Sequence, residues 1–149
     1  MTHLNQISGE VVDGGVHVHR ELGPGLLEST YETCLTYELR ERGLSVRTQV
    51  PVPIVYKGIR LEQGYRIDML VEEAVVVEIK TVVAIHPVHE AQLLTHLKHS
   101  GHRLGLLLNL DVPLMIIVPL YSRPMETQQM GMPCSCLGSS RIRCRTWRN

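Results

Sequence analysis

Between Ser8 and Leu22, the residues Val11, Gly15, Val18 and Leu22 recur at steps of four and three, so one face of a helix gathers them, with Ser8 able to cap its start. Gly14-Gly15 weakens that helix, and Gly23-Pro24-Gly25 ends it, because proline lacks an N–H and glycine admits turn conformations. A second helix is predicted over residues 26–42, with Leu27, Tyr31, Cys34, Leu35 and Leu39 as its apolar stripe and Gly43 closing it. From Leu44 the period drops to two. Leu44, Val46, Thr48, Val50 and Val52 alternate with Ser45, Arg47, Gln49 and Pro51, which marks a half-buried strand, and Pro51 favours an edge or an end. Ile54-Val55-Tyr56 and Ile59-Arg60-Leu61 flank a Lys57-Gly58 turn, residues 65–71 form another strand, and Glu72-Glu73 turns the chain again. Residues 74–80 are apolar until their polar end, as in a central strand covered on both faces. A helix over residues 88–99, with Ala91, Leu94 and Leu97 at helical spacing, and a strand over 104–110 complete the pattern. This order describes an α/β sandwich around a mixed sheet. From about Met115 no period is sustained, so one domain is expected over residues 1–115 and a poorly ordered or aberrant tail over 116–149.

Composition narrows the functional classes. A chain of 149 residues that is 44% hydrophobic can bury one substantial core. It has no apolar run long enough for a membrane helix and no signal-peptide pattern at Met1-Thr2-His3-Leu4, so a cytoplasmic location without membrane association is expected. Net charge is zero, which argues against a broad basic nucleic-acid surface, but the charge is divided. Residues 1–120 hold 10 Lys/Arg against 14 Asp/Glu, and residues 121–149 hold 5 Arg against 1 Glu, so contact of the body with nucleic acid must be local. Aromatic residues make up 4% with no Phe, which argues against a stacking platform for single-stranded bases.

Candidate chemistry gathers at two strand ends. Asp68 and Glu78 sit at matching places on strands joined by a tight turn, and Glu78 and Lys80, two apart, share a face while Ile79 points into the opposite core. Ending the run Val75-Val76-Val77 with an acid and a lysine calls for compensation, since burying unpaired charge is costly. A hard divalent cation would provide it, with Asp68, Glu78 and the carbonyl of Ile79 as ligands, and Lys80 would act on the attacking water or on the charged phosphate. An interstrand ion pair of Lys80 with Glu78 or Asp68 accounts for the same residues without catalysis. Glu28 has a plain explanation too, because an acid in a first helical turn is favoured by the helix dipole.

The segment Gly25-Leu26-Leu27-Glu28-Ser29-Thr30-Tyr31 fits the pattern G-x-x-E-x-x-Y. With Tyr65-Arg66-Ile67-Asp68, Val77-Glu78-Ile79-Lys80, Ala91-Gln92-Leu93-Leu94 and Leu104-Gly105-Leu106-Leu107-Leu108-Asn109, the chain over roughly residues 5–114 resembles the bacterial GxxExxY family, a branch of the PD-(D/E)XK nuclease superfamily. The resemblance implies a restriction-endonuclease-like core, a mixed central sheet flanked by helices. It further implies a Mg²⁺-dependent nuclease, Mn²⁺ substituting, that acts on DNA or RNA and admits a homodimer. Asp68, Glu78 and Lys80 would be the core of its active site, Glu28 an additional acid and Gln92 a polar residue beside the metal. A catalytically silent interaction module on the same fold is the alternative.

This sequence departs from the pattern at three places. Ile67 stands before Asp68 where the superfamily name has Pro, His96 stands four after Gln92 where a Tyr is expected, and the likeness stops near Leu114-Met115, as a reading-frame change would produce. His86, His89, His96, His99 and His102 lack the i, i+4 pairing of a zinc helix and read as solvated. Cys134, Cys136 and Cys144 lack a fourth ligand and read as reduced thiols. No P-loop occurs, because Gly23-Pro24-Gly25 is followed by neither the lysine nor the Ser/Thr.

Overall fold

The structure, a computed structural model, describes residues 3–122. Two helices, α1 (His3–Leu22) and α2 (Glu28–Glu41), precede three strands, β1 (Val46–Tyr56), β2 (Ile59–Val71) and β3 (Val75–Lys80). Helix α3 (Pro87–Ser100) and strands β4 (Leu104–Asn109) and β5 (Ile116–Tyr121) follow. The sheet runs β1-β2-β3-β4-β5, and only the β3–β4 pairing is parallel, α3 supplying the crossover. Helices cover both faces. Residues such as Val11 and Leu35 from α1 and α2 pack with Val75, Val77 and Ile79 on one side, and Leu93 and Leu97 from α3 pack with Leu70, Val76 and Leu107 on the other. The expected mixed sheet flanked by helices is therefore the observed architecture.

Two hairpin turns follow the residues that allow them. Lys57 and Gly58 take φ of 48° and 80°, and Glu72 and Glu73 take 53° and 49°, the left-handed pairs that match strand twist. The two short strands expected around residues 59–71 are one strand. β1 and β2 nevertheless change register between Val52 and Ile54, where a Cβ on Gly64 would collide with the carbonyl of Val52; this irregularity bends the outer hairpin.

Three expectations are corrected. Helix α1 starts at His3, upstream of Ser8, whose hydroxyl donates back to the Asn5 carbonyl instead of capping. Gly14-Gly15 does not interrupt this helix and lets it approach its neighbours, because a Cβ on Gly14 would lie 3.0 Å from Leu39 and one on Gly15 3.3 Å from Met115. The domain does not stop at 115 either: Ile116–Tyr121 forms β5, paired residue for residue with β4. The remainder of the expected tail, from residue 123, lies outside the described residues, as do Cys134, Cys136 and Cys144.

Candidate active site

Strand register brings the carboxylates together. Met69 pairs with Val77, Leu70 with Val76 and Val71 with Val75, so the next step along the same register sets Asp68 across from Glu78. There the ladder stops and a side chain takes over, Asp68 Oδ2 accepting the Ile79 N–H at 2.9 Å. Ile79 itself is buried against α1 and α2, and its neighbours in sequence point the other way.

Glu78 is 5% exposed, and each of its oxygens has a partner. Lys80 Nζ donates to Oε1 at 2.9 Å, and His96 Nδ1 lies 3.2 Å from Oε2. An ionised carboxylate only accepts, so Nδ1 of His96 carries the hydrogen. The ring of Tyr65, on β2, packs against His96 with centroids 5.1 Å apart. His96 is only 4% exposed, which corrects its reading as a solvated histidine: it projects from α3 into the sheet and fixes Glu78 from behind.

Glu28 arrives from the opposite helical layer. As the first residue of α2 it accepts the Thr81 N–H at 3.2 Å, just past Lys80. The loop before it is fastened at both ends, because Tyr31 donates its hydroxyl to the Gly23 carbonyl and Asp111 Oδ1 accepts the Gly25 N–H at 2.8 Å. Gly25 holds φ of 102°, which strongly favours glycine. In G-x-x-E-x-x-Y, then, the glycine makes the turn, the fully buried tyrosine locks it, and the glutamate is delivered to the sheet end. Buried Asn109 does the same for the strand exit, donating to the Val82 carbonyl at 2.7 Å and accepting the Val82 N–H.

A family profile described as the PD-(D/E)XK nuclease superfamily matches residues 5–116. The chain belongs to the PD-(D/E)XK nuclease superfamily. Searches of curated proteins and of solved structures returned no match. Nucleases of this superfamily generally use divalent metals, and membership points to a nuclease-type function on nucleic acid. None of the described helices is long and apolar enough to cross a membrane.

At this sheet end of the PD-(D/E)XK domain the pKa values of the two carboxylates are shifted in opposite directions. Burial, with the nearby Glu78 charge adding to it, pushes Asp68 up to about 6 despite the Ile79 N–H and Lys80. Burial would raise Glu78 as well, but the hydrogen bonds from His96 and Lys80 outweigh it and hold its carboxyl below the usual range. Lys80 is raised because those same acids, with Glu28, outweigh its own desolvation. Asp68 is thus short of positive charge. Among the described residues no three His, Cys, Asp or Glu side chains surround one point, but Mg²⁺ is commonly held by only one or two carboxylates with water completing the shell. Two acids and the Ile79 carbonyl, all hard oxygen donors, fit such an ion.

Asp68 makes the stability of the fold depend on pH. Its folded pKa lies above its unfolded value, so without metal the folded state gains stability as pH falls from about 6 toward 4 and loses it as pH rises through that window. Asp68→Asn keeps an acceptor for Ile79 and removes the charge. Its thermal midpoint at pH 8 in chelator should exceed that of the parent protein, and a lower midpoint would contradict the charge deficit.

Of the residues singled out from sequence, Asp68, Glu78, Ile79, Lys80 and Glu28 meet at one end of the sheet. Gln92 does not join them by any hydrogen bond among the described residues; it is exposed, one turn before His96 on the same side of α3. His96 and Asn109 are the site residues that sequence reading did not assign. Position four after Gln92 was the available signal for His96. Nothing in the local pattern signalled the role of Asn109.

Proposed function

We propose that the protein hydrolyses phosphodiester bonds of nucleic acid with a divalent cation, Mg²⁺ or Mn²⁺, held by Asp68, Glu78 and the Ile79 carbonyl. One observation carries the reading: Asp68 and Glu78 come together at the end of a buried strand pair, Asp68 accepting the Ile79 N–H, so that two carboxylates and a backbone carbonyl converge where burial and the Glu78 charge push Asp68 up to about 6. A bound cation would lower the pKa of a water and neutralise charge developing on the phosphate. Lys80, anchored through Glu78, places its ammonium beside the acids, where it orients the attacking water or stabilises the phosphate as charge builds. Glu28 holds the backbone just past Lys80 at Thr81, and Gln92 would border the same face as a polar contact for substrate. The G-x-x-E-x-x-Y residues, with Tyr31 and Gly25 setting the position of Glu28, support placement in the branch named for that pattern.

A second reading is favoured by one specific contact set. Both Glu78 oxygens are occupied by Lys80 and His96, as in a neutralised network of a catalytically silent interaction module. Calorimetric titration of Mg²⁺ separates the two. The nuclease reading expects Mg²⁺ and Mn²⁺ to bind and support cleavage, Ca²⁺ to bind with little cleavage, and Asp68→Ala to abolish binding of all three. Metal uptake unaffected by Asp68→Ala, or no uptake at all, would sink it.

A further inference from the structure

We propose that Gln49 is a positioning residue of the acid site: its left-handed backbone, tied to α2 through Glu32, turns the β1–β2 ladder over at Asp68 and so sets that carboxylate against Ile79. The inference rests on the nuclease reading for its bearing on catalysis. Between Val46 and Val52 the ladder keeps one register, and the rung Gln49–Asp68 drops out of it, between Thr48↔Met69 and Val50↔Ile67. Gln49 takes φ of 53°. Among the described residues the other side-chain-bearing residues with positive φ, Lys57, Glu72 and Glu73, sit in hairpin turns, whereas Gln49 lies inside a strand. The two faces of the sheet register the effect. Strict alternation would put Ile67 on the same side as Met69 and Val71. Met69 and Val71 pack with Val46 in the α1–α2 core, but Ile67 packs with Val52 and Val50 in the core under α3. Both strands therefore exchange faces at this one rung.

The exchange of faces places the acid. β2 parts from β3 at the same point: their ladder ends at Met69↔Val77, and the Ile79 N–H, which a continued ladder would engage, donates to Asp68 Oδ2 at 2.9 Å. Glutamine has no intrinsic preference for the left-handed region, where its Cβ crowds the backbone, so a contact must hold it there. Its Nε2 donates to Glu32 Oε2 at 2.6 Å, one turn after Glu28 on α2. Glu32 lies close enough that its charge adds to burial and to the Glu78 charge in pushing Asp68 up. Helix α2 thus grips the sheet end at two points, Glu28 at Thr81 just past β3 and Glu32 at Gln49 in β1, and Asp68 lies on the strand between them.

Two substitutions separate the backbone conformation from the side-chain tie. Gln49→Ala removes the tie to Glu32 and leaves a Cβ that disfavours the left-handed region, whereas Gln49→Gly removes the same tie and adopts that region freely. Amide hydrogen exchange of the protein in chelator reads the Asp68–Ile79 bond directly, with the Leu107 N–H, in the centre of β4, as the reference for general opening. In Gln49→Ala the Ile79 N–H should exchange about tenfold faster relative to Leu107, and in Gln49→Gly its protection should be rescued. Mg²⁺ affinity by calorimetry should follow the same order, about tenfold weaker in Gln49→Ala and rescued in Gln49→Gly, a loss typical of residues that orient a metal ligand. Equal loss in both variants, which would leave only the Glu32 tie, overturns the proposal, as does loss in neither or loss spread equally over Ile79 and Leu107. Failure of the two readings is distinguishable. No Mg²⁺ uptake by the parent protein, with selective exchange at Ile79 in Gln49→Ala, defeats the nuclease reading and leaves Gln49 as the residue that sets Asp68. Mg²⁺ uptake abolished by Asp68→Ala but indifferent to Gln49→Ala, with Ile79 protected in both variants, defeats the role of Gln49 alone.

Discussion

Replacing Lys80 by methionine is expected to lower phosphodiester cleavage by about a hundredfold or more while divalent metal still binds. The substitution keeps most of the aliphatic volume and removes the ammonium. Asp68 retains its bond to the Ile79 N–H, and Glu78 retains His96, so the oxygen donors stay in place. An effect on rate far larger than the effect on metal affinity is the mark of a group whose main interaction is made in the transition state. If Lys80 only balanced Glu78, the outcome would differ. The loss would then appear as about 1–3 kcal/mol of stability, because a buried carboxylate gives up one of two partners, and cleavage per folded molecule would be unchanged. Unfolding, metal affinity and cleavage measured on one preparation decide between these, and unchanged cleavage by folded Lys80→Met defeats the role proposed for the ammonium.

Ending the chain after Met115 should abolish cooperative folding, compared with a chain ending after Ser122. β4 is buried along its whole length, and β5 pairs with it from Asn109↔Ile116 to Leu104↔Tyr121. Removing β5 uncovers a row of backbone donors and acceptors beside the run Leu106-Leu107-Leu108, a template for aggregation. Ile117 also packs with the α1–α2 core, and Val118 and Leu120 with the α3 core. A fully buried side chain of this kind contributes about 1.5–3 kcal/mol and these three are partly buried, so their loss, added to that of the β4–β5 ladder, removes a substantial share of the roughly 5–15 kcal/mol that a domain has in total. Thermal unfolding followed by circular dichroism checks this. A sharp transition for the shorter chain within a few degrees of the longer one would show that β5 is dispensable.

What could be read from the sequence was whatever depends on short-range period and turn chemistry. The alternation after Leu44, the Lys57-Gly58 and Glu72-Glu73 turns and the apolar run before Glu78 place β1 to β3, and with them the opposition of Asp68 and Glu78. Features set by distant partners were not legible. β5 shows no clean alternation and contains Pro119, which an edge strand tolerates because no further strand needs its N–H. Pro51 and Pro53 lie in β1, the other edge, for the same reason. Gly14 and Gly15 resemble helix breakers until Leu39 and Met115 are seen against them. One histidine among eight carries no local mark of burial, and His96 becomes a site residue only because α3 packs on the sheet where Glu78 ends.

The bond between Asp111 and the Gly25 N–H joins residues 86 positions apart, at the loop that presents Glu28. During synthesis the first acid of the site is therefore made long before the residue that fixes its loop, and β4, the parallel partner of β3, also arrives late. At about 5–20 residues per second the ribosome spends several seconds between the two. Once Lys80 has been made, the nascent chain holds Glu28, Asp68, Glu78 and Lys80 while still lacking the Asp111 bond to the Gly25 loop and the β4 pairing. Under the proposed function, a complete site is thereby withheld from chains that have not yet reached β4 and Asp111.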